Sequence, residues 1–138
     1  MKKKYLLIIL SLIISFTINA QSKKNIKELN INSTTVWEYD YKTGKEKKYK
    51  KSKSVFDKEG NIIEKTEYDN NDKISKHRKY EYDKNNILVK EIRLNENGKI
   101  YKVIEYKYDG KLKTEKSIYD GNGKLKSKKE YIYSIDND

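Results

Sequence analysis

The chain has no cysteine and no proline, and among its 138 residues it carries one histidine, one methionine and one tryptophan. Without cysteine there are no disulfides, thiolate metal sites or cysteine nucleophiles. Without proline, no segment is barred from a hydrogen-bonded ladder. The lone histidine, His77, lies between Lys76 and Arg78. Neighbouring cations disfavour its protonated form, so it makes a poor general base and reads as a solvated strand residue. A zinc site would have to be built from carboxylates alone, so no metal or other cofactor is expected. Arginine is scarce as well, two residues against 30 lysines, which argues against bidentate reading of bases and hence against sequence-specific nucleic-acid recognition. There is no Gly-rich phosphate loop and no Gly-x-Ser-x-Gly elbow.

What is present begins with MKKKYLLIILSLIISFTINAQ. Three lysines, an apolar run from Tyr5 to Phe16 and a polar stretch closing on Ala20 have the layout of a secretory signal peptide over residues 1–20. The run is shorter than the roughly 20 residues of a membrane span. Cleavage after Ala20 would leave 118 residues starting at Gln21, with no transmembrane span, and the expected location is periplasmic or secreted. Beyond Ala20, Leu, Ile, Val and Phe make only 22 of 118 residues, and 29 basic residues against 21 acidic give a net charge of +8. That composition lies at the border where disorder becomes the default, so internal order has to decide.

The order is a repeat. Phe56-Asp-Lys-Glu-Gly60, Tyr68-Asp-Asn-Asn-Asp72, Tyr82-Asp-Lys-Asn-Asn86, Leu94-Asn-Glu-Asn-Gly98, Tyr108-Asp-Gly110 and Tyr119-Asp-Gly-Asn-Gly123 are variants of one turn. Asp or Asn accepts hydrogen bonds from the backbone ahead of it, and Gly, Asn or Asp tolerates the positive φ that closes the turn. The segments between are "ISKHRKYEY" (74–82), "IYKVIEYKY" (100–108) and "LKSKKEYIY" (125–133), alternating with "IIEKTEY" (62–68), "LVKEIRL" (88–94) and "LKTEKSI" (112–118). Their apolar residues stand at even offsets, which predicts strands with those residues on one face. At each turn the incoming apolar residue should face the outgoing aliphatic one. Val89, Ile92, Val103 and Ile104 thicken the middle repeat, where the core is expected. "TTVWEYDYKTGKEKKYKKSKSVF" (34–56) reads as a further hairpin, with Trp37, Tyr39 and Tyr41 alternating on one face. The prediction is an all-β, antiparallel sheet of tandem hairpins with a period of about 26 residues. It has eight or nine strands in one domain over 34–135, open and twisted or curled around the middle repeat. Residues 21–33 show no period and read as a flexible lead-in.

"YDGNGKL", "YDGKL", "FDKEGNI" and "LNENGKI" resemble the YD-type repeats of large exported Rhs-like bacterial proteins and the related MORN-type repeats, over about 56–133. The resemblance implies strands wound from hairpins, and carbohydrate binding in some Rhs-like members. The regular Gly after each Tyr of MORN repeats is missing here, and Lys stands where YD repeats commonly have Arg.

Asp69, Asp72, Asp83, Asp109 and Asp120 lie in turns, and turn formation accounts for them. A calcium loop would need Glu at its twelfth position, where Tyr80 and Tyr131 stand. Glu64, Glu67, Glu91, Glu105 and Glu115 are the candidates for a carboxylate-based hydrolase, but the surrounding lysines would lower any raised pKa. No enzyme is expected. "KEKKYKKSK" (45–53) attracts polyanions. The expected function is a non-catalytic binding or surface-interaction module for an anionic polysaccharide. Tyr39, Tyr41 and Tyr49 would be the stacking surfaces and Lys47, Lys48, Lys50 and Lys51 the charge partners. The alternative is a small structural or protective factor that binds one protein partner.

Overall fold

The computed structural model describes residues 23–42 and 44–134. The expected signal peptide lies outside the described residues. Eight strands are described: β1 (Ser33–Asp40), β2 (Lys47–Phe56), β3 (Ile62–Tyr68), β4 (Ile74–Tyr82), β5 (Leu88–Leu94), β6 (Ile100–Asp109), β7 (Leu112–Asp120) and β8 (Leu125–Glu130). They form one sheet in chain order, β1 to β8, with every neighbouring pair antiparallel. The fold is the antiparallel hairpin sheet that the turn spacing predicts, and of the two expected forms it takes the open one, with β1 and β8 at its two edges.

Five turns use one device. The side-chain oxygen of Asp57, Asp69, Asp83, Asn95 or Asp120 accepts the backbone N–H groups two and four residues ahead, at 2.8–3.1 Å. The residue three ahead is Gly60, Asp72, Asn86, Gly98 or Gly123, each at positive φ. Two N–H donors on one carboxylate favour its charged form, and those of Asn71 and Lys73 hold Asp69 below the ordinary carboxylate range. The hairpin β6–β7 differs: Asp109 faces Leu112 across a two-residue loop with Gly110 at positive φ.

The register departs from simple alternation at every hairpin. Phe56 faces Ile62 but Val55 faces Glu64, so Ile63 is left without a partner. The same skip falls on Lys51, Ser75, Val89, Tyr101, Thr114 and Lys126. Each is a β-bulge, two residues opposing one, and it resets the period-two pattern of its strand. Residues separated by even offsets across the bulge, such as Ile62 and Tyr68 or Ile74 and Tyr80, therefore lie on opposite faces, not on one. Phe56, Tyr82 and Tyr108 share one face, whereas Tyr68, Leu94 and Tyr119 share the other. The apolar stripes at the two rims consequently cover opposite faces of a single layer. The expected apolar facing holds at Phe56–Ile62, Tyr68–Ile74, Tyr82–Leu88, Leu94–Ile100 and Tyr119–Leu125. It fails at Tyr108, which faces Lys113, because the short loop shifts Leu112 against Asp109.

Tyrosine serves where phenylalanine would not. The hydroxyls of Tyr82, Tyr108 and Tyr133 donate to the carbonyls of Ile62, Leu88 and Lys113, each 20 residues back, at 3.0, 3.0 and 2.7 Å. Each ring thereby reaches over the start of a preceding strand and ties successive hairpins along one rim. The thick middle is split between faces: Ile92 pairs with Val103 on one, and Ile104 pairs with Glu91 and Ile118 on the other. Ile104, at 3% exposure, is the best-buried apolar residue described.

The segment read as a flexible lead-in contains a short helix at 23–28, and its Ile26 is buried. Lys23 donates to Asn61, Lys27 pairs with Glu59, and the backbone at Lys23 lies so close to Gly60 that a Cβ there would approach Lys23 O to 2.8 Å. Six residues are too few to show a helical period, so the packing that orders them left no mark in the pattern.

His77 is half-buried and its Nε2 meets Glu64 Oε1 at 2.6 Å, so it is a paired strand residue and not a solvated one. Ion pairs between lysine or arginine and glutamate line both faces. Glu115 is held by Lys128 at 2.9 Å, Lys107 at 3.1 Å and the Ser117 hydroxyl at 2.9 Å. These contacts pull its pKa from 4.5 to about 2. A depressed carboxylate stabilises the fold fully above its unfolded pKa and loses that contribution as pH falls through its folded one. Amide protection in β7 and β8 should therefore decline from about pH 4.5 to about pH 2. Glu115→Gln should flatten this decline, and an unchanged acid profile in that variant would show that other carboxylates control it.

Candidate polyanion-binding surface

The lysine-rich stretch 45–53 becomes the strand β2, and its register against β1 decides which side chains meet. Trp37 faces Lys50, Glu38 faces Tyr49, Tyr39 faces Lys48 and Asp40 faces Lys47. The bulge at Lys51 sets this alternation. One face of the hairpin therefore carries Trp37, Tyr39, Lys48 and Lys50, and the other carries Glu38, Asp40, Lys47 and Tyr49.

On the first face, Lys48 Nζ lies 4.9 Å from the Trp37 ring centroid and 5.4 Å from that of Tyr39. Lys50 Nζ lies 5.8 Å from Trp37 and 4.9 Å from Tyr68 of β3. These are cation–π distances, with the ring quadrupole facing the ammonium. The Lys50 backbone N–H donates to Asp72 Oδ1 at 3.0 Å, which links β2 to the turn carrying Tyr68. Trp37 and Tyr39 remain 47% and 45% exposed. Among the described residues, neither Lys48 nor Lys50 has a carboxylate in ion-pair range, in contrast to Lys51. The result is a platform of two exposed rings and the half-buried Tyr68, bearing two ammonium groups, with Trp37 and Tyr39 on an edge strand.

The sequence candidates divide accordingly. Tyr39, Lys48 and Lys50 are brought together. Lys47 points to the opposite face, against Asp40. Tyr41 lies just beyond β1, and its hydroxyl donates to Glu46 at 3.1 Å. Tyr49 is not displayed for stacking: it is 8% exposed, on the face away from the platform. Burial, then its hydrogen bond to Glu38, pushes its phenol pKa up. Lys51 is paired with the same Glu38 at 2.9 Å, which raises its pKa, while Lys51 and Tyr49 together lower that of Glu38. Both residues belong to the packing of the hairpin. Trp37 and Tyr68 were absent from the candidates because their place beside lysine depends on register. The alternation of Trp37 with Tyr39 was the one visible signal.

The carboxylates named for hydrolysis are dispersed. Glu64, Glu105 and Glu115 lie on the platform's face and Glu67 and Glu91 on the other, each beside a basic side chain: His77, Lys90, Lys128, Lys76 and Arg93 respectively. Among the described residues no three His, Cys, Asp or Glu side chains are grouped to hold a metal ion. No helix among them is long and apolar enough to cross a membrane.

Searches found no matching family model and no similar curated protein. Among solved structures, the chain is similar to one in a crystal structure of the GtfA/B complex bound to UDP and GlcNAc. The identity is 18% and the TM-score 0.31, over 68% of this chain and 19% of that one. The chain thus spans about a fifth of that protein's length, and a likeness of this degree carries no argument about function.

Proposed function

We propose that the chain is an exported, non-catalytic binding module whose β1–β3 surface holds an extended anionic polysaccharide. The observation that supports this reading is the platform of Trp37, Tyr39 and Tyr68 with Lys48 and Lys50. Exposed rings stack on the apolar faces of sugars, and an ammonium held over a ring keeps N–H donors for a carboxylate or sulfate. Trp37 and Tyr39 are two residues apart on one strand, about 6.8 Å along it, so neighbouring sugars of one chain can meet both. Export supplies the setting in which such polymers occur, and residues 1–20 are its signal in this reading.

The test is retention on immobilised polygalacturonate, with single-stranded DNA as the control polyanion. Trp37→Ala should weaken binding about tenfold, the scale of one lost stacking contact. Lys48→Gln and Lys50→Gln should each lower the slope of log affinity against log salt by up to about 0.9. Tyr49→Phe should change nothing, since that ring is packed on the other face. Equal retention of both polymers, abolished at physiological salt, would reduce the surface to bulk charge. No retention at low salt would leave a single protein partner as the better reading. Intact mass of the exported protein, beginning at Gln21, tests the leader; a product retaining Met1 would refute its removal.

A further inference from the structure

A second aromatic–lysine cluster lies at the other end of the sheet, on the opposite face. Tyr106 and Tyr108 of β6 share that face with Lys113 and Lys116 of β7 and Lys129 of β8, since Tyr108 faces Lys113, Tyr106 faces Lys116, and Lys116 faces Lys129. Lys113 Nζ is 4.6 Å from the Tyr106 centroid and 6.0 Å from that of Tyr108, and Lys116 Nζ is 5.9 Å from Tyr106. The chain after β8 adds to it: the Tyr131 N–H donates to Thr114 O at 3.0 Å and the Tyr133 hydroxyl to Lys113 O at 2.7 Å. Tyr131 and Tyr133 are 37% and 49% exposed.

The charge arrangement points independently to an anion. Lys116 and Lys129 stand directly opposite each other, an unfavourable pairing of like charges. At another such pairing in the sheet the charges are compensated. Arg78 faces Arg93, but Glu91 lies beside both, and Glu67 lies beside Arg78. On the reverse face of the same hairpin, Lys107 and Lys128 share Glu115. Among the described residues, Lys113, Lys116 and Lys129 have no carboxylate within ion-pair range. Lys113 and Lys116 are therefore left beside rings with Lys129 facing Lys116, and an external anion would relieve their repulsion.

We propose that this surface on β6–β8 is a second polyanion site, so that one chain binds two polysaccharide segments, one on each face, and bridges them. The ligand class rests on the reading of the β1–β3 platform, whereas the site itself rests on its own residues. A single layer separates the two surfaces, with β4 and β5 between them, so one short oligosaccharide cannot occupy both.

Calorimetry with short galacturonate oligomers and agglutination of polygalacturonate-coated beads test the bridge. Wild type should bind two oligomers per chain and agglutinate beads. The variant Lys113→Gln/Lys116→Gln/Lys129→Gln should fold, bind one oligomer and lose agglutination. A variant with Trp37→Ala, Lys48→Gln and Lys50→Gln should do the same through the remaining site. If the first triple variant keeps both the stoichiometry and the agglutination of wild type, the β6–β8 site is refuted while the first reading stands. If the second variant alone keeps wild-type behaviour, the β1–β3 reading fails and this site survives. One oligomer per chain in wild type, or none, overturns the bridge.

Discussion

Ile104→Ala should destabilise the sheet by about 2–4 kcal/mol, more than truncation of any other aliphatic residue on either face. The expectation follows from how little is buried. No large side chain among the described residues is fully enclosed, and Ile104 at 3% exposure is the nearest to it. Its rung reads Tyr80, Glu91, Ile104, Ile118 and Ser127 across five strands. The adjoining rungs on that face carry Arg93 with Lys102 and Tyr106 with Lys116, whose long stems can cover it while their charged ends stay in water. A cavity beneath such a lid cannot collapse without moving two hairpins. Ile132→Ala, at 95% exposure, should stay within about 0.5 kcal/mol. Tyr133→Phe, which removes only one exposed hydroxyl bond, should cost about 1 kcal/mol or less. Urea midpoints of the three variants decide the matter. Equal shifts for Ile104→Ala and Ile132→Ala would mean that the middle of the sheet is no thicker than its exposed end.

The turns were legible in the sequence because their chemistry is local. Asp57, Asp69, Asp83, Asn95 and Asp120, each followed three positions on by a residue that accepts positive φ, mark the hairpins without any knowledge of partners. The pairing of consecutive strands follows from their spacing, whereas the choice between eight and nine strands, and between an open and a curled sheet, did not. The faces were not legible. The bulged residues are Lys51, Ile63, Ser75, Val89, Tyr101, Thr114 and Lys126, which share no size, charge or propensity, so nothing in the letters signals the reset. The candidate site inherits this. Lys48 and Lys50 differ from Lys47, and Tyr39 from Tyr49, only through the register of β1 on β2, and that register turns on the bulge at Lys51. A lysine-rich stretch thus predicted attraction for anions while leaving open which lysines share a face with which rings. The tyrosines tell a similar story. Their repetition was evident, but the reason for a hydroxyl at 82, 108 and 133 is a carbonyl 20 residues back, which only the hairpin geometry brings near.

Gly121→Ala should be the most damaging glycine substitution in the C-terminal half, for a reason unrelated to backbone angle. Gly98, Gly110 and Gly123 adopt positive φ with open space where a Cβ would stand. Alanine there pays only the left-handed penalty, about 1–2 kcal/mol. Gly121 is not at positive φ, but a Cβ on it would lie 2.3 Å from Ile100 O and 3.1 Å from both Ile100 C and Tyr101 Cα. Those are main-chain atoms at the start of β6, beside the bulge at Tyr101, and no rotamer change relieves them. Either the β7–β8 turn lifts away or the β5–β6 rim shifts. Overpacking of this kind costs about 1–3 kcal/mol and occasionally more, and here it acts on an edge hairpin whose outer strand is exposed along its whole length. The loss should exceed that of Gly98→Ala and concentrate in β7 and β8, with amide protection in β2 to β4 retained. The same variant should lose the cluster around Lys113 and Lys116 while keeping the Trp37 platform, which lies at the far edge. A urea midpoint no lower for Gly121→Ala than for Gly98→Ala would show that the rim yields at little cost, and that the last hairpin is held by its own ladder and not by its contact with Ile100.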